Sequence, residues 1–429
     1  MSEQQSPSRS PCFKPLMIRD TLRVLGSNLA VNLSAFLVLA LAGRLMSVEE
    51  FAKLSLIVAA SQLGSSALEL GINVGTVKKY AEKKDGRFLS TLIWLKIAMS
   101  CCCSGLVAVC YLMGVPSFWV AVIACAASID LWSGARALDQ ARLDFWSFAQ
   151  ANVLFAALRI PLAVIALVEG SAFAVAMALY IGPLVVVAAH KWRSTAVHAE
   201  RLDLDTVWEV LCYALPAYIS ATLYSVAIYY PQFVIYQRLD AAAVSTFGVL
   251  LIYVGPLSLL NVSIRTHLLP FVAGNVIRRA TVLANPRIVA LIGVGLLVAL
   301  VGLAIGALLI ERIYGAKYPG IGLLFWIFLS LHFLCLPIGE FNLEVHRLGR
   351  IEIEAWVNAV RLAVLVTVLW RFGGDLLSIV ISSGLTMFAG ECALFLVIGE
   401  LTRREAAQAS PQAISDQPVQ PLRRRDRML

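Results

Sequence analysis

The chain has 429 residues, of which 59% are apolar and only 14% are charged, and its mean hydropathy is +0.80. Because an average soluble domain carries about 25% charged residues, this composition argues against a soluble enzyme, a nucleic-acid-binding domain and a secreted disulfide scaffold. The net charge of +8 fits the Lys and Arg that anchor the cytoplasmic loops of membrane proteins. The sequence therefore predicts an all-α integral membrane protein with many spans.

Twelve apolar stretches follow one another along the chain, each long enough to cross about 30 Å of hydrocarbon as a helix. Backbone amides inside lipid have to be satisfied within their own segment, so these stretches are expected to be helices rather than strands. The predicted spans are 25–46, 52–72, 88–112, 118–138, 148–168, 172–190, 208–230, 245–269, 288–310, 320–341, 352–370 and 375–400.

The positions of Lys and Arg predict how these spans are oriented. With the N-terminus in the cytoplasm, 25 of the 35 Lys and Arg fall on the cytoplasmic side, 6 fall outside and 4 lie within spans. An excess of this kind is typical of cytoplasmic loops. We therefore expect both termini to be cytoplasmic. Residues 1–20 contain scattered charges and three prolines, without the apolar core of a cleavable signal.

A charged break after the sixth span divides the chain into two halves. Repeated halves that rock against each other around a central cavity are a common transporter plan. The expected organisation is a cytoplasmic N-terminal segment, a six-helix lobe, a cytoplasmic linker, a second six-helix lobe and a disordered basic cytoplasmic tail, at residues 1–24, 25–190, 191–207, 208–400 and 401–429 respectively.

The loops and motifs argue against catalysis. All predicted external loops are short, which leaves no room for the external catalytic domain of a membrane glycosyltransferase. The sequence contains no Walker motif, and its five histidines are dispersed without metal-binding spacing. It also lacks a recognisable channel filter. We expect a transporter working by alternating access, with no enzymatic activity, no cofactor and no metal site.

Ionisable side chains at membrane depth are costly and are functional candidates by default. In one interpretation they form neutral bridges, Asp130 with Lys96 or Arg159, and Glu391 with Arg361. In the other, some cations face a water-filled cavity and bind a phosphate or pyrophosphate, for which Arg provides paired N–H donors. Candidate cations for substrate binding are Arg265, Arg361, Arg159 and Lys96, while Asp130 and Glu391 are candidates for a coupling ion or for charge pairs.

Four short motifs resemble those of the polysaccharide-biosynthesis flippases. The first follows span one, the second ends span two, the third precedes span ten and the fourth precedes span eleven. They are Gly43-Arg44-Leu45-Met46-Ser47-Val48-Glu49-Glu50-Phe51-Ala52, Glu69-Leu70-Gly71-Ile72, Ile313-Tyr314-Gly315-Ala316-Lys317-Tyr318 and Leu348-Gly349-Arg350.

This resemblance places the chain in the multidrug/oligosaccharidyl-lipid/polysaccharide exporter superfamily. It implies two six-helix lobes around a cationic lumen. It also implies a flippase that moves a polyprenyl-pyrophosphate-linked oligosaccharide across the cytoplasmic membrane for export of a cell-surface polysaccharide. The implied partners are the lipid-linked oligosaccharide, membrane lipids and other polysaccharide-assembly proteins, and nucleic acid is not among them.

Three alternatives remain open from the sequence. A cation-coupled multidrug antiporter of the same superfamily predicts an acidic rather than a basic central site. A membrane-embedded glycan polymerase or ligase needs a substantial external loop. A non-transporting membrane component of a glycan-synthesis complex predicts that alanine at the deep cations changes nothing.

Overall fold

The computed structural model describes residues 15–194, 203–255, 285–342, 344–348 and 350–408, and every regular element in these ranges is an α-helix. The helices, numbered here in chain order, are α1 Pro15–Leu45, α2 Val48–Glu69, α3 Ile72–Lys83, α4 Gly86–Leu112, α5 Ser117–Arg142, α6 Phe145–Glu169, α7 Ala172–Ser194, α8 Leu204–Arg238, α9 Ala241–Gly255, α10 Pro286–Tyr314, α11 Ile321–Phe341, α12 Glu344–Arg347, α13 Ile351–Phe372 and α14 Leu376–Gln408.

The predicted spans coincide with these helices. Within the described residues, ten helices are long and apolar enough to cross a membrane. The two other predicted spans, 172–190 and 245–269, coincide with the shorter apolar segments Ala172–Leu184 and Ala241–Gly255. The rest of the span predicted at 245–269 lies outside the described residues.

Apolar side chains cover the outside of the helix bundle. On α10, for example, Leu291, Leu297 and Leu308 are each more than 60% exposed. In water an exposed apolar surface of this size would drive aggregation. In a bilayer it is the surface that faces lipid, so the exposure pattern agrees with the hydropathy of the sequence.

Short polar residues begin the helices where the chain turns. Asp and Asn side chains accept hydrogen bonds from the free N–H groups of a first helical turn and so end the preceding loop. Hydrogen bonds from the side chain and the backbone N–H of Arg87 hold the pKa of Asp85, the N-cap of α4, below its usual value. The residues whose side chains accept a hydrogen bond from the first turn of the helix they cap are Ser47, Asp85, Asp144, Asp203 and Asn285.

The long helices pack in two groups. Among the N-terminal helices, α1 packs on α6, α2 on α5, α6 on α7 and α4 on α5; among the C-terminal helices, α8 packs on α13, α11 on α14 and α10 on α11. The groups meet where α8 lies along α2 and α3. We call the end of the bundle that carries α3 the α3 end and the other the far end.

Helices α1 and α14 extend into the terminal segments expected from the sequence. Helix α1 begins at Pro15, inside the segment predicted at 1–24, and α14 continues to Gln408, inside the tail predicted to be disordered from 401. The added turn of α14 contains good helix formers, and Arg404 Nε donates to Glu400 Oε1 at 2.9 Å one turn earlier. The tail beyond residue 408 lies outside the described residues.

Candidate substrate and ion site

The interior of the bundle contains the charged side chains that the sequence singled out. Lys96, Arg159 and Arg361 are each at most 4% exposed, and Asp130 is 2% exposed. Arg265, the fourth candidate cation, lies outside the described residues. The others fall into two groups, one among the N-terminal helices and one among the C-terminal helices.

In the N-terminal group, Lys96 of α4 forms an ion pair with Asp130 of α5. Of the two partners that the sequence allowed for Asp130, the structure therefore selects Lys96. The Lys96 stem crosses α5 at Gly134, where an added Cβ would lie 2.9 Å from Lys96 Cγ. Because attraction in a low-dielectric interior has to offset the desolvation of both ions, such a pair needs close geometry, and Gly134 provides the space for it.

A second carboxylate lies beside this pair. Glu69, the last residue of α2, interacts electrostatically with both Lys96 and Asp130 and hydrogen-bonds Asn73. Asn73 Nδ2 in turn donates to Ser133 Oγ at 2.6 Å. The group thus combines two acids with one ammonium. Sequence reasoning noted Glu69 only as a residue near the end of a span, although it opens the Glu-Leu-Gly-Ile motif.

Arg159 of α6 is held by backbone rather than by an acid. Its Nε donates to the Leu179 carbonyl of α7 and its Nη1 to the Val31 carbonyl of α1, both at 2.9 Å. The guanidinium also lies over the Phe155 ring, 4.4 Å from its centroid. No ion pair to Arg159 occurs in the part of the chain that the structure describes. This geometry joins three helices and satisfies a buried cation without neutralising it.

In the C-terminal group, Arg361 of α13 pairs with Glu391 of α14. Arg361 Nη2 donates to Glu391 Oε1 at 2.8 Å, and Asn342 Nδ2 donates to Glu391 Oε2 at 2.8 Å. The guanidinium lies 5.4 Å from the centroid of the Tyr224 ring. Among the described residues, neither Arg361 Nε nor Arg361 Nη1 has a hydrogen-bond partner. Two donors of a buried guanidinium therefore remain for another acceptor.

The structure also reveals functional candidates that sequence reasoning missed. Arg136, close to the end of the span predicted at 118–138, is among the 25 Lys and Arg assigned to the cytoplasmic side. It lies within α5, where Arg136 Nη2 donates to Asn28 Oδ1 of α1 at 2.9 Å. Asn152 of α6 donates to the same Asn28 oxygen at 3.2 Å. The sequence signal that could have identified this hydrogen-bond network is the presence of two asparagines, Asn28 and Asn152, inside apolar segments.

Two of the quoted motifs meet at the far end. Tyr318 Oη donates to the Gly43 carbonyl at 3.0 Å and Lys317 Nζ to the same oxygen at 2.9 Å, while Tyr314 Oη donates to the Ala40 carbonyl at 2.9 Å. Lys317 Nζ also bonds the Met46 carbonyl. Burial lowers the pKa of Lys317. We call this set of contacts, which joins the last turn of α1 to the α10–α11 loop, the far-end contact.

Comparisons with known proteins agree with this picture. The model of the polysaccharide biosynthesis protein family matches residues 17–128. No curated protein matches the sequence.

Solved transporter structures share the fold. The lipid II flippase MurJ, in an inward closed conformation, matches with a TM-score of 0.66 and 14% identity over 89% of this chain and 87% of that chain. An inward-facing multidrug resistance MATE family transporter of the MOP superfamily matches with a TM-score of 0.60 and 14% identity over 90% and 96%. A MOP superfamily transporter from Pyrococcus furiosus matches with a TM-score of 0.55 and 14% identity over 92% and 96%.

At these identities the likeness shows the fold alone, which this chain shares with those transporter structures. The family match over residues 17–128 agrees with the resemblance that the motifs indicated. The ten helices of the described residues that are long and apolar enough to cross a membrane agree with a multi-pass membrane protein.

Proposed function

We propose that this protein is a flippase that moves a polyprenyl-pyrophosphate-linked oligosaccharide across the cell membrane by alternating access. The observation that carries the proposal is Arg361, a buried guanidinium with two N–H donors unused among the described residues. A guanidinium matches phosphate oxygens in pairs and is the preferred cation for such an anion. The family match to polysaccharide biosynthesis proteins supports a glycan-bearing lipid as the substrate.

In this mechanism the pyrophosphate head leaves one leaflet and is held by buried cations while the polyprenyl tail stays in lipid. Arg361 contributes its free donors, and Glu391 and Asn342 fix its orientation from the other side. Movement of the N-terminal helices against the C-terminal helices then exposes the head to the opposite leaflet. Arg265 remains a predicted second cation.

The N-terminal group has the composition expected of a coupling-ion site. Glu69 and Asp130 share one ammonium, Lys96, so binding a proton or a sodium ion would neutralise the remaining negative charge. At Glu391, by contrast, both oxygens already accept hydrogen bonds. We therefore place ion coupling at Asp130 and Glu69 rather than at Glu391.

A translocation assay in proteoliposomes tests the substrate. A fluorescent polyprenyl-pyrophosphate glycan is added to vesicles, and protein-dependent appearance of head groups in the opposite leaflet is followed by quenching. We expect Arg361→Ala to lower the rate about tenfold or more, since a charge-assisted hydrogen bond contributes roughly 1.5–3 kcal/mol. Arg265→Ala, measured in parallel, tests the second predicted cation.

Two control variants distinguish loss of the Arg361 charge from loss of protein stability. Arg361→Met combined with Glu391→Gln removes the cation without leaving an unpaired acid and is expected to fold but not to translocate. Arg404→Ala removes an exposed Arg paired with Glu400 and is expected to be active. Full activity of the folded double variant would discard Arg361 as the substrate site, and absence of translocation in the wild-type protein would discard the flippase.

The second candidate is a cation-coupled multidrug antiporter, which the Glu69–Asp130–Lys96 group favours because it is acidic on balance. This function predicts uptake of organic cations against their gradient when a proton or sodium gradient is imposed. Loss of that uptake in Asp130→Asn, without any flipping of lipid-linked glycan, would select it over the flippase.

A further inference from the structure

At the α3 end, the N-terminal and C-terminal helices approach each other so closely that their backbones touch. A Cβ added at Gly75 of α3 would lie 2.8 Å from both the carbonyl oxygen and Cγ1 of Val210 in α8, and 3.2 Å from Ala214 Cβ. Val210 itself is fully buried. This end of the interface is therefore closed in the structure, and a missing side chain in α3 permits the closure.

Charged groups cover this contact. Glu209 Oε1 of α8 lies 2.7 Å from Lys83 Nζ and 3.0 Å from Lys79 Nζ of α3. One turn further along, Lys78 Nζ donates to Tyr213 Oη at 2.7 Å and lies 4.0 Å from the ring centroid. We call these five residues the α3 latch. All of its cations belong to the N-terminal helices, and its only acid belongs to the C-terminal helices.

The ion pairs of the α3 latch are weak enough to break when the α3 end opens. The side chains of Lys83 and Glu209 are 51% and 33% exposed, and exposed ion pairs contribute only about 0–1 kcal/mol each. Among the described residues, these three ammonium groups contact the Glu209 carboxylate and the Tyr213 phenol of α8. The nearby acid Asp203 lies 3.9 Å from Arg87, and its carboxylate already accepts bonds from Thr206 Oγ1 and the Asp205 N–H.

We propose that Glu209 is a built-in counter-anion that keeps the α3 end closed, and that the lysines of α3 bind the phosphate-bearing head of the substrate when it displaces Glu209. The identity of that head as a pyrophosphate rests on the proposed function. Opening and binding then occur together. The anion that binds the lysines displaces Glu209, and Glu209 is the acid that holds α8 against α3.

The far-end contact explains why the two ends respond differently. There the donors of Tyr314, Lys317 and Tyr318 bond backbone carbonyls of α1. A backbone carbonyl carries no net charge for an anion to replace. Displacement of Glu209 by an anionic head group therefore acts at the α3 end, and the far-end contact includes no carboxylate that it would displace.

A cysteine introduced at a buried position of the α3 end measures opening, because a water-soluble reagent reaches it when that end opens. Val210→Cys is introduced into full-length protein whose native cysteines are replaced by Ala, and the rate of modification by a water-soluble maleimide is measured in detergent. We expect Glu209→Gln to raise this rate at least fivefold. The matched control is Glu400→Gln, which removes an acid paired only within α14 among the described residues. Equal rates in the Glu209→Gln and parent proteins would overturn the latch.

Inorganic pyrophosphate tests the anion site independently of translocation. At constant ionic strength it should raise the modification rate of the parent protein, and Glu209→Gln should bind it several-fold more tightly because the competing carboxylate is gone. Lys78→Gln, Lys79→Gln and Lys83→Gln combined should abolish that binding. If the α3 latch only joins the helices, Glu209→Gln should leave the affinity for pyrophosphate unchanged. That result would overturn the proposed anion site.

Two further outcomes are separable. Opening by phosphatidylglycerol vesicles but not by pyrophosphate would show a lipid-surface contact and overturn the assignment to the substrate head. A wild-type protein that opens with pyrophosphate but flips no lipid-linked glycan would retain the gated anion site while removing the proposed function.

Discussion

Arg361 has room for its guanidinium because the neighbouring helix has no side chain at Gly390. A methyl group there would overlap Arg361 Nε, so the residue that positions the candidate substrate cation is a glycine. Gly134 plays the same part for Lys96 in the N-terminal helices. Each buried pair thus depends on one small residue in the helix that also supplies its acid.

We expect Gly390→Ala to destabilise the protein by about 1–3 kcal/mol, the cost of inserting a group into a packed interior, and to lower translocation by displacing Arg361. Unfolding followed by tryptophan fluorescence in detergent measures the first effect. The matched control is Gly302→Ala in α10, where nothing lies within 4 Å of an added Cβ. Equal stability of the Gly390→Ala and Gly302→Ala variants would show that Arg361 does not need the space at Gly390.

At the scale of elements, the far-end contact supplies hydrogen-bond donors to backbone carbonyls where helix α1 ends. The last four carbonyls of an α-helix lack intrahelical partners, and one of those in α1, the Gly43 carbonyl, accepts hydrogen bonds from Lys317 and Tyr318 in the loop after α10. The Gly43 and Tyr318 motifs are separated by more than 260 residues, and their common role is visible only where the elements meet.

Tyr318→Phe removes the hydroxyl that bonds the Gly43 carbonyl, and we expect a loss of about 0.5–1.5 kcal/mol with faster hydrogen exchange in residues 43–47. The expected loss is local because Tyr314 and Lys317 still hold α1. Tyr236→Phe is the comparison, since Tyr236 is 63% exposed. Exchange that does not change in Tyr318→Phe would show that the α1 terminus is held by other contacts.

At the scale of the whole molecule, α2 and α8 form a seam between the two groups of helices. Ser66 Oγ and Ser225 Oγ lie 3.4 Å apart across this seam, and Gln232 Nε2 donates to Ser55 Oγ nearer the far end. Relative movement of the groups has to separate these residues. Contacts within one group, such as Asn358 Nδ2 to Ser220 Oγ at 3.0 Å, should persist throughout the cycle.

Oxidation of the double variant Ser66→Cys and Ser225→Cys, in the cysteine-replaced protein, should therefore form a disulfide and stop translocation, with recovery after reduction. The same treatment of Ser220→Cys and Asn358→Cys should leave at least half of the activity, because both positions lie in the C-terminal helices. Full activity of the oxidised Ser66–Ser225 variant would mean that the seam does not move.

Hydropathy predicted the helices because the bilayer imposes one solution. A backbone in lipid must satisfy its own hydrogen bonds, so an apolar stretch of sufficient length is a helix whatever surrounds it. The same logic identified Lys96, Arg159 and Arg361, since charges at membrane depth stand out in an apolar stretch. It did not identify Arg136, which is close enough to a helix end to be counted with a loop.

The sequence by itself determined that the chain is a helical multi-pass membrane protein, the approximate position of the spans that the structure describes, and the buried cations Lys96, Arg159 and Arg361. The tertiary structure decided the partners: Lys96 rather than Arg159 for Asp130, backbone carbonyls for Arg159, and Glu209 for the lysines of α3. The physical reason is separation along the chain. Membrane insertion depends on each segment alone, whereas an ion pair such as Lys83 with Glu209 depends on how α3 and α8 pack across 126 residues of sequence.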